Sequence, residues 1–189
     1  MNLPLARFSK SVFFGLLLVA STTFAQQKGM KAYITLFPAG DFVATTSDLT
    51  GSAQMVSANE VKAQNITINL NSLKTGLELR DDHAKNKYLE VQKYPEAVLV
   101  SATGKDGKGS GILRLHGKEA KVDGTYVLTA GNKFLTAEFK SKLSLFGINE
   151  INYKGVGVDD EFKVEVTVPV VADTAVAAPA AAPAKKKGK

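Results

Sequence analysis

Val61–Leu70, VKAQNITINL, runs straight into Asn71–Pro95, NSLKTGLELRDDHAKNKYLEVQKYP, and the two segments follow different rules. In the first, Ile66, Ile68 and Leu70 alternate with Thr67 and Asn69. A period of two puts the apolar groups on one face, the pattern of a half-buried strand. The second segment is polar and opens with Asn71-Ser72 and a Thr75-Gly76 turn. Leu77 through Leu89 can then form a helix, because Leu77, Ala84 and Tyr88 share one stripe. Asp81 and Asp82 fall near its start, where carboxylates suit the free amide groups. Asp81 and Lys85 stand four apart, the spacing of a surface ion pair. Pro95 is consistent with the chain having left helical geometry by Tyr94.

The flanking sequence continues the strand pattern. Glu161–Val168, EFKVEVTV, alternates Phe162, Val164, Val166 and Val168 with Lys163, Glu165 and Thr167. Further strands are expected at Lys31–Phe37, Asp41–Thr46, Thr50–Ser57, Glu96–Thr103, Ser110–His116, Lys121–Thr129 and Phe134–Leu145. Gly104–Gly109, GKDGKG, has the chemistry of a turn between two of them. About eight strands, short connections and one helical insertion predict an all-β fold, an antiparallel barrel or sandwich without parallel βαβ units.

The ends read differently. Residues 1–25 carry Arg7 and Lys10, then the apolar run SVFFGLLLVA, then small residues up to Ala25. This is the pattern of an export signal, with an apolar run shorter than the roughly 20 residues that span a bilayer. The expected destination is the periplasm or another exported compartment. Residues 172–189 are Ala/Pro-rich and end in a Lys cluster, which predicts a disordered tail. Such a cluster could touch an anionic envelope surface weakly. Between the ends, Gln26–Val171 holds 18 Lys plus Arg against 17 Asp plus Glu. The formal net charge of +6 therefore belongs to the termini, and a near-neutral body argues against a nucleic-acid face.

The chain has no Cys, which excludes thiol catalysis, thiolate metal sites and disulfides. Asp81, Asp82 and His83 are adjacent, so on a helix their side chains diverge. A metal-dependent enzyme would need His83 joined to His116, the only other histidine, and to a third ligand. No G-x-S-x-G elbow, G-x-G-x-x-G loop or phosphate-loop spacing is present. The expected protein is not an enzyme and needs no cofactor.

Ser72-Leu73-Lys74-Thr75-Gly76, Arg80-Asp81-Asp82-His83, Tyr88-Leu89 and Tyr94-Pro95-Glu96-Ala97 together resemble the YceI-like family. Gly111–Gly117 (GILRLHG), Phe146-Gly147-Ile148 and Val158–Phe162 extend the resemblance over most of Leu36–Val168. The family's opening Asp-x-x-His-Ser strand is missing, and the corresponding region reads TLFPAGDFVATTSDLTG. The resemblance implies an extended, lipocalin-like antiparallel barrel over residues 26–171, with the helical segment by its mouth. It also implies a non-catalytic role. Some relatives hold a long polyisoprenoid in an internal channel.

On that reading the partner is a long-chain apolar ligand: a polyisoprenoid, an isoprenoid quinone or a fatty acyl lipid. Candidate lining residues are Phe42, Met55, Ile66 and Ile68 from the N-terminal strands and Leu77 and Tyr88 from the insertion. The later strands add Leu99, Leu113, Leu115, Phe134, Phe139, Leu145, Val164 and Val166. Arg80, His83 and His116 are candidates for the polar mouth, or for pins holding the insertion to the sheet. The rival is an envelope barrel that binds a protein and has a filled interior. The oligomeric state stays open, a homodimer included.

Overall fold

In the computed structural model, residues 27–129, 131–149 and 151–172 are described. The expected export signal and the tail from Asp173 onward lie outside them. The described residues form one antiparallel-dominated sheet of eleven strands. These are β1 (Gly29–Phe37), β2 (Gly40–Thr46), β3 (Leu49–Thr50), β4 (Ala53–Ser57), β5 (Glu60–Asn69), β6 (Glu96–Lys105), β7 (Lys108–Leu115), β8 (Lys118–Thr129), β9 (Phe134–Lys142), β10 (Asn152–Tyr153) and β11 (Val156–Ala172).

Seven strands close into a ring, β4-β5-β6-β7-β8-β9-β11. The closing seam is parallel and short: Val170, Val171 and Ala172 of β11 pair with Ala53, Gln54 and Met55 of β4. Every other pairing is antiparallel. β11 meets β9 from Glu161 to Pro169 on its other edge. Earlier along the seam edge β11 pairs instead with β1, from Phe37↔Gly157 to Gly29↔Thr167, and β1 carries β2. The barrel therefore has a narrow end, where β4 closes it, and a wide end, where the β1–β2 hairpin stands in the wall.

Local chemistry explains the turns. Asp106-Gly107 and His116-Gly117 take positive φ at both residues, the two-residue hairpin that matches strand twist. The first corrects the expected turn at Gly104–Gly109: β6 and β7 continue to Lys105 and from Lys108, so only Asp106-Gly107 turns. The expected strand Thr50–Ser57 is broken at Gly51-Ser52 into β3 and β4. Phe134–Leu145 stops as strand at Lys142 and continues as a 3-10 turn, Leu143–Phe146. At the narrow end Gly104 makes room for an aromatic ring, because a Cβ there would lie 2.5 Å from Tyr126.

The core is continuous and apolar. Phe146, Leu49 and Val168 are its most enclosed large side chains. The alternation in β11 performs as expected: Phe162, Val164, Val166 and Val168 are all buried.

Candidate functional site

The wide end has a structural problem that its sequence solves. The outer edge of β2 has no neighbouring strand to cover it fully. The segment after β5 folds across that gap. A 3-10 turn at Leu70–Ser72 leads to Lys74, whose backbone exchanges two hydrogen bonds with Thr45, at 2.7 and 2.9 Å. Ser72 and Thr46 add a hydroxyl pair at 2.6 Å. The open strand edge is thereby covered at Thr45 and Thr46.

The expected helix over Leu77–Leu89 is real but composite. A short α-helix, α1 (Glu78–Asp82), passes into a π-helical turn, His83–Tyr88, where Leu89 N donates to Ala84 O five residues back. Glu90, with φ of 46°, ends it. The first turn lacks a side-chain cap at Leu77. Asp81 compensates by reaching back: its Oδ1 accepts from the Thr75 amide and the Thr75 hydroxyl, both at 2.6 Å. Asp81 is buried, and the Thr75 hydroxyl above all holds its carboxyl below the usual carboxylate range. The expected Asp81–Lys85 surface pair is corrected here: the direct partners are Thr75 and, at 3.6 Å, Lys74. Asp81 faces the turn it must brace rather than solvent.

Arg80 points toward the sheet. Its Nη2 donates to Thr75 O at 2.5 Å and its guanidinium lies 4.1 Å over the Phe42 ring. Arg114 pairs with exposed Glu119 on the neighbouring strand. The far end of the insertion is held by His116. Its Nδ1 lies 3.2 Å from Phe146 O, its Nε2 lies 3.3 Å from Glu90, and its ring meets Tyr94 edge-on at 4.5 Å. Gly117 permits this contact, since a Cβ there would come within 2.6 Å of the Tyr94 ring.

Under the insertion lies a chamber of about 630 Å³, lined almost wholly by apolar side chains. β1 and β2 supply Met30, Ala32, Ile34, Phe42 and Ala44; the far wall includes Leu113, Leu115, Phe162 and Val164. The insertion roofs it with Leu77, Leu79, Arg80, His83, Ala84 and Tyr88. Leu77 and Leu79 line the chamber yet are each 60% exposed, so they stand at its opening. His83 meets Tyr153 of β10 edge-on at 4.6 Å across that opening. A second, smaller cavity of about 90 Å³ occupies the narrow end. Phe139 borders both.

The sequence candidates divide accordingly. Phe42, Ile68, Leu77, Arg80, His83, Tyr88, Leu113, Leu115, Phe139 and Val164 border the large chamber. Ile66, Leu99 and Val166 border the small one. Four candidates border neither. Leu145 is 51% exposed, because the 3-10 turn buries Phe146 and directs Leu145 outward. Phe134 begins β9, opposite Thr129 and Pro169. Met55 sits at the seam and packs against the core. His116 is a pin, as described. The sequence reading passed over Ala32, Ile34 and Leu36, although their period of two in β1 is the signal that marks an inner face.

Among the described residues no group of three or more His, Asp or Glu gathers into a metal-binding cluster. His83 and His116 are engaged by different partners, so the donor set a metal-dependent enzyme would need is not assembled.

The YceI-like domain profile matches residues 21–170. The chain belongs to the YceI-like family. Two solved structures share the fold of this YceI-like protein at low identity. BcnA of Burkholderia cenocepacia superimposes with a TM-score of 0.57 at 16% identity, covering 76% of this chain and 96% of BcnA. A polyisoprenoid binding domain from Saccharophagus degradans, implicated in plant cell wall breakdown, gives a TM-score of 0.50 at 15% identity, covering 75% and 91%. No curated protein matches the YceI-like chain.

Proposed function

We propose that the protein binds and carries a long-chain apolar ligand in the wide end of its barrel, in the bacterial envelope. The observation that carries this reading is the chamber of about 630 Å³, walled by apolar side chains and open at Leu77 and Leu79. That volume falls within the roughly 300–1,000 Å³ typical of small-ligand sites. Burying about ten methylene groups there contributes about 8 kcal/mol, at about 0.8 kcal/mol each, before association and ordering costs. The family, and a structural relative described as polyisoprenoid binding, support a prenyl or acyl chain as cargo. The signal-like sequence of residues 1–25 supports export.

The protein-docking rival asks for a filled interior and free tyrosines at the mouth. Tyr88 borders the chamber, Tyr94 packs on His116, and both are only partly exposed.

Mass spectrometry of the native protein and of its solvent extract tests the proposal. A co-purifying lipid is expected, and the delipidated protein should take up a prenyl or acyl chain. A folded protein that remains empty after exposure to both would overturn it. Leu113→Trp should reduce uptake while the fold persists, because the added ring occupies the chamber.

A further inference from the structure

The wide end of the barrel presents apolar side chains to water around the opening of the chamber. Gly157 of β11 sets two hairpin tips side by side there. It pairs with Phe37 of β1 on one edge and with Asn152 of β10 on the other. The turns Pro38-Ala39 and Lys154-Gly155 therefore flank the start of β11. The insertion reaches both hairpins: His83 meets the Tyr153 ring at 4.6 Å, and Arg80 lies 4.1 Å over Phe42 of β2. Leu36, Ala39, Leu77, Leu79 and Tyr153 all border the chamber. Phe37 does not. Next to inward Leu36 it is sent outward at the tip, and at 78% it is the most exposed large apolar side chain among the described residues.

Area and charge say what such a rim can meet. Phe37, Leu77, Leu79 and Tyr153 together expose roughly 400 Å², about half of the ~800 Å² that each partner gives a stable protein interface. A second copy or another protein would need more surface than this. The segments that carry the rim, residues 36–42, 77–88 and 152–157, hold four bases (Arg80, Lys85, Lys87, Lys154) against four acids (Asp41, Glu78, Asp81, Asp82). A balanced rim matches a surface without net charge. Lys87 and Lys154 lie 5.3 and 5.4 Å from the rings of Tyr88 and Tyr153. An aromatic ring beside a lysine, whose stem can follow apolar surface while its head stays wet, suits the boundary between water and lipid.

We infer that the wide mouth docks on a bilayer of zwitterionic phospholipid, seating Phe37, Leu77 and Leu79 among the acyl chains. Cargo then passes between membrane and chamber without crossing water, where each exposed methylene group slows transfer about fourfold. This purpose rests on the carrier reading above; the docking surface rests on the rim itself.

The test is flotation of the delipidated protein with vesicles of phosphatidylcholine and phosphatidylethanolamine at low and high salt. Residues 1–25 contain an apolar run and residues 185–189 are basic, so the readouts are differences between variants that share both ends. Phe37→Ser should weaken partitioning about tenfold at either salt concentration, with the melting temperature and the affinity for hexadecanoate in solution unchanged. Val127→Ser removes a side chain that is 58% exposed on the outer wall of β8, opposite Thr136, and should change nothing. Phe37→Trp gives a chain without tryptophan a single one, whose emission brominated acyl chains should quench. Equal partitioning of wild type and Phe37→Ser, or an unquenched tryptophan, overturns the docking surface. So does binding confined to vesicles that contain phosphatidylglycerol and abolished by salt. Uptake of hexadecanoate without the membrane signals removes the docking surface and leaves the carrier standing. The membrane signals without uptake of any acyl or prenyl chain uphold the docking surface and overturn the carrier.

Discussion

The two ends of the barrel are built from the same strands but closed by different means. At the narrow end the seam is backbone hydrogen bonding between β4 and β11, and Tyr126 lies against Gly104 with its hydroxyl donating to Asn59 O at 3.1 Å. Only about 90 Å³ remains empty there. At the wide end a hairpin and a roof held by side chains replace the seven-strand closure, and about 630 Å³ stays open. A complete ladder of small and aromatic residues makes a core. Where the ladder is interrupted, polar contacts from Thr75, Asp81 and His116 hold a wall at a distance, and a chamber remains.

The largest expected effect tests the stiffness of the narrow end. Leu135→Ala should cost about 3 kcal/mol in chemical denaturation, because the side chain is enclosed among packed neighbours. Leu115→Ala, on the wall of the large chamber, should cost roughly 1 kcal/mol less, since part of its surface already faces empty space. Equal costs would remove the contrast between the ends.

Breaking the brace of the roof should come next. Asp81→Ala removes the acceptor of two buried hydrogen bonds and should destabilise the protein by about 2 kcal/mol. Its loss should appear first as faster amide exchange in residues 75–90. The same carboxylate sets an acid limit. Its folded pKa lies below its ordinary value of 3.8, so its contribution is complete above that value and disappears as pH falls through the folded one. Wild-type protein should lose stability as pH falls below about 4, and Asp81→Ala should show a shallower acid slope over that window.

Phe139→Ala sharpens the comparison from the inside. The ring borders both cavities, and its removal should join them. The optimum chain length in a series of acyl probes should lengthen, with a stability cost of about 3 kcal/mol or less if the site partly collapses. An unchanged optimum would show that the ligand never reaches the partition. The smallest effect belongs to Arg114→Ala: its pair with Glu119 is exposed on both sides and should change stability by less than about 0.5 kcal/mol.

Much of this division could be read from residues, and some could not. The period of two in Val61–Leu70 and Glu161–Val168 located strands and their inner faces, because a sheet with one buried face imposes that period. The insertion showed itself by losing it. The switch from α to π geometry at His83 left no trace in the residue types. The outward turn of Leu145 was equally hidden: an apolar residue following a strand looks like more strand. For His116 the residue types left mouth and pin both open, and its contacts with Glu90, Tyr94 and Phe146 decide for the pin. Residue types alone also cannot separate a packed core from a chamber wall, as Val164 and Val166 illustrate. They are two apart on one face of β11, yet they border different cavities.

β11 bonds to β1, β4, β9 and β10, and the pairing of Gly29 with Thr167 spans nearly the whole described chain. Strands β1 and β2 can form their hairpin early, but their wall has nothing to stand against until the last strand is available. Such distant pairings are slow to form. A chain folding from its N-terminus would thus hold an open, unclosed sheet until β11 is available. The chamber would come into being in the final step of folding, and a cargo could be captured as the barrel shuts as readily as after it.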